Sequence, residues 1–240
     1  YPEENILELV DFCHENHIVF KYIPNIYRTL TSNFDIDIMG GFPLIELKRT
    51  RLDGWGKVIK RTLDIFISMI GLLGLAPLFV LVAIIVKFDS KGPILVGLKR
   101  ISKNKEFKLL KFRSMVDNAE LLKASLAVFN ERKDGPLFKM KNDPRITNVG
   151  RLLRKYRIDE LPQFWNILRG DISLVGPRPH QPDEISRYQK HHKKVLAIKA
   201  GATGLAQTSG SSELPFENEV ALDTFYIENW SLWLDIKTIL

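Results

Sequence analysis

The stretch IFISMIGLLGLAPLFVLVAIIV, from Ile65 to Val86, decides how this chain is organised. Its 22 residues carry no charge, and as one helix they would span about 33 Å, close to the roughly 30 Å of a bilayer's hydrocarbon core. A signal peptide is excluded by the internal position and by the lack of a small-residue cleavage site. The alternatives are a buried core helix of a soluble domain and a segment that enters a membrane, and the length favours the membrane.

The proline in this stretch predicts a bend. Pro77 lies near the middle, where it removes a backbone hydrogen bond and clashes with the preceding turn. Six basic residues lie within about twenty positions of each end, so the charge rule for membrane orientation gives no preferred inside. We therefore expect a re-entrant helix over about residues 62–88, with both ends on the cytoplasmic side. A single tilted span is the alternative.

The charge on either side of this segment is uneven. Residues 1–50 hold eight of the 28 acidic and four of the 35 basic side chains, so they carry −4 and the other 190 residues carry +11. We expect two parts: residues 1–50, the C-terminal fragment of an α/β domain, and residues 51–240, a separate domain. The net charge of +7 indicates an anionic partner, such as nucleic acid, phospholipid or a phosphorylated substrate. The single Cys13 excludes a disulfide framework and a multi-cysteine metal site.

The first part is expected to continue an α/β pattern. Residues 3–16 have helical spacing, 18–22 resemble a strand, and Phe34–Met39 alternates apolar and acidic residues before Gly40 and Gly41. No complete glycine-rich nucleotide motif is present, so we assign this part no activity. The chain begins with Tyr and ends within an apolar helical pattern, and we expect it to be a segment of a longer protein.

The second part predicts an α+β, mainly helical domain that is monotopic, with amphipathic helices in the membrane interface. The expected elements are an extended segment over 107–115 and helices over 117–129, 151–157, 162–169 and 226–240. The last of these places Tyr226, Trp230 and Trp233 on one helical face.

Acidic and basic side chains are densest between residues 151 and 178. The charged residues are Arg151, Arg154, Arg157, Asp159, Glu160, Arg169, Asp171 and Arg178. Adjacent carboxylates flanked by guanidinium groups suit phosphoryl transfer, since one carboxylate can attack phosphorus, the other can hold a cation and the arginines can neutralise phosphate. A surface salt-bridge network is the alternative, and on charge spacing alone it is favoured.

Six sequence blocks occur in order along the second part. They are KRTLDI (60–65), KFRSM (111–115), GPLFKMKNDPRIT (135–147), RIDELPQFWNILRGDISLVGPRP (157–179), ATGLAQTSG (202–210) and LDTFYIENWSLWLDIKT (222–238). Together with the membrane segment they closely resemble the bacterial sugar transferases, the monotopic polyprenyl-phosphate phosphoglycosyl transferases. Residues 1–50 resemble the end of the regulatory domain of the long members that initiate exopolysaccharide, capsule or O-antigen (lipopolysaccharide) synthesis.

The resemblance implies a reaction. An enzyme of this family transfers a sugar-1-phosphate from a UDP-sugar to undecaprenyl phosphate, gives undecaprenyl-diphosphate-sugar and releases UMP. Asp159 would form a covalent phosphosugar intermediate, and Glu160 would be its metal-associated partner with Mg²⁺. The expected location is the bacterial inner (cytoplasmic) membrane, with the site on the cytoplasmic face against anionic lipid.

The resemblance also carries further site positions onto this chain. These are Lys111, Arg154, Arg178, Pro179 and Asp223, and Arg113 and Arg145 are further candidates; all seven would bind substrate. Asp223 would assist the metal or position a basic residue. For Arg113 and Arg145, structural ion pairing is an equal alternative. The three histidines His180, His191 and His192 are expected to be solvated or to contact catalytic groups without taking part in the chemistry. The sugar is not assigned, and a homodimer stays open.

Two departures from the family pattern support a second hypothesis about function. Ala76 replaces a Ser before the bend proline, and Ser211 replaces an Arg after the Gln-x-Ser-Gly block. A catalytically impaired, membrane-bound scaffold of the same fold is therefore the alternative function. A nucleic-acid-binding domain is disfavoured, because the basic residues accompany a membrane segment and no reading motif is found, so we expect no nucleic acid partner.

Overall fold

A computed structural model describes residues 34–39, 42–47, 52, 54–119, 121–123, 125–131, 134–137, 140, 142–210 and 214–239. The chain divides into two units, Tyr1–Asp53 and Gly54–Leu240. In the first unit, β1 (Phe34–Met39) and β2 (Phe42–Leu47) form an antiparallel pair. The strand predicted at Phe34–Met39 is confirmed, while the elements predicted over 3–16 and 18–22 lie outside the described residues.

The second unit begins with two helices joined by a sharp bend. Helix α1 (Trp55–Gly74) and helix α2 (Ala76–Asp89) meet at Leu75 and differ in direction by 61°. Pro77 lies in the first turn of α2, where its missing N–H costs no helical hydrogen bond. The predicted bend is therefore confirmed. Within the described part of the chain, no single helix is long and apolar enough to cross a membrane, whereas this bent pair meets that criterion when its two helices are taken together.

Helix α1 buries polar side chains and exposes apolar ones. Its buried residues are Lys60, Asp64 and Ser68, at a spacing of four that places them on one face. The exposed residues include Val58, Ile59, Leu63, Ile65, Phe66, Ile67, Met69, Ile70 and Leu73. A core helix of a soluble domain has the opposite pattern. Helix α1 is therefore not a buried core helix of a soluble domain, and that alternative is wrong for this part of the apolar stretch.

A β-hairpin follows the bent pair. Strands β3 (Leu95–Ser102) and β4 (Lys105–Phe112) pair antiparallel through a tight turn in which Lys103 and Asn104 have positive φ angles. The extended segment predicted over 107–115 matches β4 as far as Phe112, and sequence analysis missed β3. The predicted helix over 117–129 is wrong, because this region contains turns and two 3₁₀ segments, Leu121–Lys123 and Ala127–Phe129.

Short helices and one small parallel sheet complete the unit. The elements are α3 (Asn148–Lys155), a 3₁₀ turn (Ile158–Glu160), α4 (Gln163–Arg169), β5 (Ser173–Val175), α5 (Pro182–Ile185), a 3₁₀ helix (His191–Ala197), β6 (Gly201–Thr203), α6 (Leu205–Thr208), α7 (Phe216–Glu228) and α8 (Leu232–Ile239). Strands β5 and β6 are parallel. Helices and strands are thus mixed, with about half of the unit helical, and α3 and α4 confirm two predicted helices.

The C-terminal segment forms two helices where one was predicted. Helix α7 ends before Asn229, so Tyr226 and Trp230 are buried while Trp233 is 71% exposed. Tyr226 and Trp230 both donate hydrogen bonds to Asp235 of α8, which joins the two helices across the break. The prediction of one aromatic face is therefore wrong.

Two apolar clusters hold the unit together. Val82 and Val86 of α2 pack with Phe112 and with Leu153 of α3. The second cluster contains Leu109, Ile167, Ile172 and Ala200. Strand β4 contributes to both clusters, so the intervening residue Lys111 is held between the bent pair and α4.

Candidate active site

A pocket lies between the hairpin, the 3₁₀ turn and strand β6. It is lined by Arg100, Leu109, Lys111, Arg157, Glu160, Gln163, Arg178, Pro179, Gly201, Ala202 and Gln207. Four of these side chains are cationic and one is a carboxylate. Such an excess of positive charge in a concave site favours a ligand with several negative charges, such as a diphosphate.

The carboxylate of the pocket is ion-paired. Lys111 Nζ lies 2.6 Å from Glu160 Oε1 and donates a hydrogen bond to it. Burial opposes the charge of Glu160, but the Lys111 ammonium outweighs burial with help from Arg157 and Arg178. The pKa of Glu160 is therefore held below its usual range. Glu160 is a carboxylate at neutral pH and keeps oxygen lone pairs for a further ligand.

The neighbouring Asp159 is in a different environment. It is 4% exposed and does not line the pocket. Burial raises the pKa of Asp159, and the charge of Glu160 adds to this effect, while Lys111 and Arg154 oppose it. Two adjacent carboxyl groups thus have pKa values shifted in opposite directions, which is a pattern of sites that divide acid, base and nucleophile roles.

The local backbone fixes where the two carboxyl groups point. Arg157 has a φ of 55°, in the left-handed region that few non-glycine residues occupy, and it directly precedes the 3₁₀ turn. Asn166 is 1% exposed and bridges α4 to β4, because Leu110 N–H donates to its Oδ1 and its Nδ2 donates to Lys108 O, both at 2.9 Å. The strand that carries Lys111 is therefore tied to the helix that follows Glu160.

A third buried carboxyl group, that of Asp223, contacts the segment that contributes Arg178 and Pro179 to the pocket. Asp223 of α7 accepts a hydrogen bond from the backbone N–H of Arg178. Burial, with the nearby charge of Glu219, raises the pKa of Asp223 to about 7, although Arg178 opposes the shift. Asp223 does not line the pocket. Its geometry fits the positioning role suggested from sequence, since it holds the segment that carries Arg178 and Pro179.

Two arginines predicted to bind substrate have partners inside the protein. Arg113 is 4% exposed and donates to the backbone oxygens of Val86, Ser90 and Pro93. Arg145 is 6% exposed and forms a 2.6 Å ion pair with Asp143. Neither lines the pocket. The structure thus favours the structural alternative for both, because their guanidinium groups join segments of the backbone.

Arg154 is exposed on α3 and does not line the pocket. Burial raises the pKa of Asp159 and the charge of Arg154 opposes that rise, while the hydrogen bond from Arg145 lowers the pKa of Asp143 and Arg154 adds to that lowering.

The sequence comparisons agree with the order of the sequence blocks. The family described as bacterial sugar transferase matches residues 55–240, which include every residue of the pocket. The chain belongs to the bacterial sugar transferase family. The prediction of a transferase is confirmed at this level.

Relatives of this sugar transferase include short and long proteins. The exopolysaccharide production protein ExoY of Sinorhizobium fredii is 42% identical over 190 residues, which cover 77% of this chain and 83% of ExoY. The undecaprenyl-phosphate galactose phosphotransferase of Salmonella typhimurium is 39% identical over 229 residues, covering 92% of this chain and 46% of the relative. The undecaprenyl-phosphate glucose phosphotransferase of Komagataeibacter xylinus is 38% identical over 229 residues, covering 90% and 41%. The chain thus spans less than half of the two longer relatives.

Several pocket residues of the transferase were not predicted. Arg100, Gln163 and Gln207 come from β3, α4 and α6, and they meet only because these elements pack together. Arg157 was noted in the charged cluster but was not assigned to the site. The sequence indicated Gln207 only through its position in the block ATGLAQTSG. That block supported the family resemblance and was not assigned to the site. Of the two departures, Ala76 is the first residue of α2, and Ser211 lies outside the described residues.

A second polar cluster lies away from the pocket. His191 Nε2 and His192 Nε2 are 3.2 and 2.8 Å from the two oxygens of Glu217. His192 Nδ1 accepts a hydrogen bond from Gln189 N–H, so the neutral imidazole carries its proton on Nε2 and donates it to Glu217. That tautomer leaves His192 no free nitrogen for a metal, and we interpret this cluster as a tie between the 3₁₀ helix and α7.

Of the three histidines that were expected to be solvated or to lie next to catalytic groups, one is solvated. His180 and His192 are buried and only His191 is exposed.

Proposed function

We propose that the chain transfers a sugar-1-phosphate from a UDP-sugar to undecaprenyl phosphate, releasing UMP and starting synthesis of a surface polysaccharide. The observation that carries the proposal is the pocket itself, where Lys111, Arg100, Arg157 and Arg178 surround the single carboxylate Glu160. The names of two relatives, both undecaprenyl-phosphate sugar phosphotransferases, support the acceptor. A relative in Aeromonas hydrophila, 33% identical, is named for the transfer of N-acetylgalactosamine phosphate to the same lipid.

The donor follows from the charge of the pocket. A sugar nucleotide brings a diphosphate, and arginine side chains bind phosphate oxygens through short, charge-assisted hydrogen bonds. In the transition state the transferred phosphoryl group develops charge on its outer oxygens and on the leaving oxygen, which the same cations stabilise.

The proposed chemistry has two displacements. In the first, an oxygen of Asp159 forms a bond to the phosphorus that bears the sugar, the anhydride P–O bond breaks, and UMP leaves with the electron pair. In the second, the phosphate of undecaprenyl phosphate attacks that phosphorus, the bond to Asp159 breaks, and the carboxylate is restored. No net proton is needed in the first step if Asp159 reacts as a carboxylate.

The burial of Asp159 sets a condition on this mechanism. Because Asp159 is 4% exposed and lies beside the pocket rather than in it, the Ile158–Glu160 turn must shift for the carboxylate to meet phosphorus. The sparsely populated backbone conformation of Arg157 immediately before the turn is a place where such a shift can start. A desolvated carboxylate is also a stronger nucleophile than a hydrated one.

Magnesium is part of the proposal, with Glu160 as its protein ligand. Mg²⁺ is held in proteins by one or two carboxylates together with substrate phosphates and water, and Glu160 faces the pocket as a carboxylate. When bound, the ion would neutralise charge on the diphosphate. Lys111, at 2.6 Å, orients Glu160 for this role.

The proposed location is the cytoplasmic face of a bacterial inner membrane. Helix α1 turns its apolar face outward and keeps Lys60, Asp64 and Ser68 against the protein, which suits immersion in lipid. The bend at Leu75 suits a helix pair that enters one leaflet and returns. Basic residues at both ends would then contact anionic lipid headgroups. In this position the pocket could receive a soluble UDP-sugar and a lipid phosphate from the same side.

The direct test is UMP release by the chain in detergent or lipid nanodiscs with Mg²⁺ and undecaprenyl phosphate. A panel of UDP-glucose, UDP-galactose and UDP-N-acetylgalactosamine serves as donor. The proposal expects UMP and a lipid-linked sugar with at least one donor, and little UMP from Asp159→Asn. If the folded protein releases no UMP with any donor, or if Asp159→Asn is fully active, the proposed reaction is wrong. A folded, membrane-bound but inactive chain is the result that the scaffold alternative predicts.

A further inference from the structure

Gln207 has an unsatisfied side-chain oxygen at the pocket. Among the residues that the structure describes, its Oε1 is the buried side-chain atom that has no hydrogen-bond partner. A buried amide oxygen without a donor costs free energy, and most buried polar atoms in proteins are paired. Unpaired atoms of this kind are retained where a ligand supplies the missing partner, so the position of Gln207 in the pocket lining is informative.

The backbone around Gln207 leaves it little freedom to find a partner elsewhere. Helix α6 starts immediately after Gly204, where an added Cβ would lie 2.3 Å from Gly176 O. Gly201 of β6 is equally tight, since a Cβ there would lie 2.1 Å from Gly176 N. The start of α6 is thus pressed against the segment between β5 and Arg178. This close packing fixes the distance of Gln207 from the cationic side of the pocket.

The chemistry of the other lining residues divides the pocket into two kinds of surface. Arg100, Lys111, Arg157 and Arg178 are donors that suit phosphate oxygens. They offer nothing to a ligand N–H or O–H group. The other side-chain acceptors of the lining are the Glu160 carboxylate, which is ion-paired with Lys111, and the amide oxygen of Gln163. Gln207 Oε1 is an acceptor with no competing donor from the protein. A ligand bound through its phosphates would therefore place a neutral polar part against Gln207.

We infer that Gln207 is a substrate-binding residue whose Oε1 accepts a hydrogen bond from an N–H or O–H group of the sugar nucleotide. This inference rests on the proposed function. It assigns a contact to the part of the sugar nucleotide that the cationic side chains do not bind. Two groups have the required chemistry: the imide N–H of the uracil base, and a hydroxyl of the ribose or of the transferred sugar.

The test compares Gln207→Leu with wild type in binding, turnover and stability. Direct binding of UMP, UDP-glucose and UDP-galactose is measured by titration calorimetry, and the KM for the UDP-sugar is measured by UMP release. Because the hydrogen bond is made in the bound complex, we expect Gln207→Leu to weaken binding by about five- to fifty-fold and to raise KM in parallel. The control is Thr208→Val, since Thr208 lies on the same helix, is exposed and does not line the pocket.

Stability separates a binding role from a structural one. Since Oε1 has no partner within the described part of the protein, Gln207→Leu loses no internal bond at that atom and should unfold at the same or a higher temperature than wild type. A variant that binds weakly because it is misfolded would unfold at a lower temperature.

The binding data also locate the donor group. Equal weakening of UMP and UDP-sugar binding places the hydrogen-bonding N–H or O–H group on the nucleoside. Weakening of UDP-sugar binding alone places that group on the transferred sugar. Unchanged affinities, or weakened binding with a lower unfolding temperature, would overturn the inference. If wild type binds and turns over a UDP-sugar but Gln207→Leu behaves identically, only the inference fails. If wild type binds none of the three ligands, the proposed function fails with it.

Discussion

Two buried aspartates, in two regions of the molecule, show how the same side chain can serve different ends. Asp64 on the polar face of α1 is 5% exposed, and its Oδ1 accepts hydrogen bonds from Ser173 Oγ at 3.0 Å and Leu174 N–H at 2.9 Å. Asp159 is 4% exposed and has another carboxylate, Glu160, beside it. The first is satisfied by fixed donors and fastens α1 to β5. The second is desolvated beside a like charge, and such a group is available for chemistry.

The comparison teaches that burial alone does not identify a reactive carboxyl group. Both carboxyl groups have cations nearby, and what differs is the other neighbours: hydroxyl and amide donors at Asp64, and the like charge of Glu160 at Asp159. Removal of the carboxylate should therefore cost mainly activity at Asp159 and mainly stability at Asp64.

The largest effect is expected at Asp159. Asp159→Asn removes the nucleophile, and UMP release should fall by at least about 10³-fold, as losses of covalent nucleophiles commonly do. Because the buried carboxylate is replaced by a neutral group, thermal stability should stay equal to wild type or rise. UMP release and unfolding temperature, measured on the same preparation, test both statements. A stable variant that keeps more than a tenth of the activity would contradict the nucleophile assignment.

The next effect is expected at the polar face of α1. Lys60 Nζ lies 2.6 Å from Asp235 Oδ2, and Tyr226 and Trp230 also donate to this carboxylate. Asp235→Ala removes the carboxylate that is ion-paired with the buried Lys60 ammonium and leaves Asp64 as the remaining nearby negative charge, so the free energy of unfolding should fall by about 3–5 kcal/mol. The matched control is the exposed pair Lys99–Glu106, whose removal should cost less than about 1 kcal/mol. Equal losses in the two variants would show that the face of α1 is not fastened as described.

A smaller loss is expected at Asp64. Asp64→Leu removes the acceptor for Ser173 Oγ and Leu174 N–H. Because the Ser173 hydroxyl can rotate and the Leu174 N–H cannot, the free energy of unfolding should fall by about 1–3 kcal/mol in total. Because Asp64 does not line the pocket, the activity of the molecules that remain folded should be close to that of wild type. Chemical denaturation and specific activity per folded molecule distinguish the two quantities. A stable but inactive Asp64→Leu would undo the contrast between the two aspartates.

The smallest effect, at pH values near neutrality, is the pH dependence of activity. Burial raises the pKa of Asp159, and the reaction needs the carboxylate, so kcat/KM should fall on the acid side with a midpoint above the ordinary aspartate value. Below that midpoint the decline is about tenfold per pH unit. For stability the sign is opposite: a raised pKa stabilises the fold at low pH, and this stabilisation is lost as pH rises through the folded-state value. Asp159→Asn should remove that loss at neutral pH.

Sequence patterns predicted the parts of the fold that are encoded locally. Pro77 within a charge-free helix predicts its own bend, and the order of the sequence blocks predicts the transferase family. The inverted polarity of α1 could not be foreseen in the same way, because the partners of Lys60 and Asp64 lie more than 100 residues further along the chain. A local pattern cannot say which protein surface a polar face will meet.

The candidate site was predicted in part for the same reason. Lys111, Glu160 and Arg178 were assigned from motif positions, and the structure brings them together. Gln207 and Arg100 were missed because their role depends on how β3 and α6 pack against the site. Arg113 was a candidate for substrate binding with structural pairing as an equal alternative, and sequence could not decide because its partners are backbone carbonyls that have no sequence signature.

The measurement that tests the central claim most directly is the position of the covalent adduct. The chain is incubated with its UDP-sugar and Mg²⁺ without undecaprenyl phosphate, digested, and analysed by mass spectrometry for peptides that carry a hexose phosphate. The account predicts an adduct on Asp159, absent from Asp159→Asn and lost when undecaprenyl phosphate is added. An adduct on Glu160, or full turnover with no adduct at any time, would contradict it.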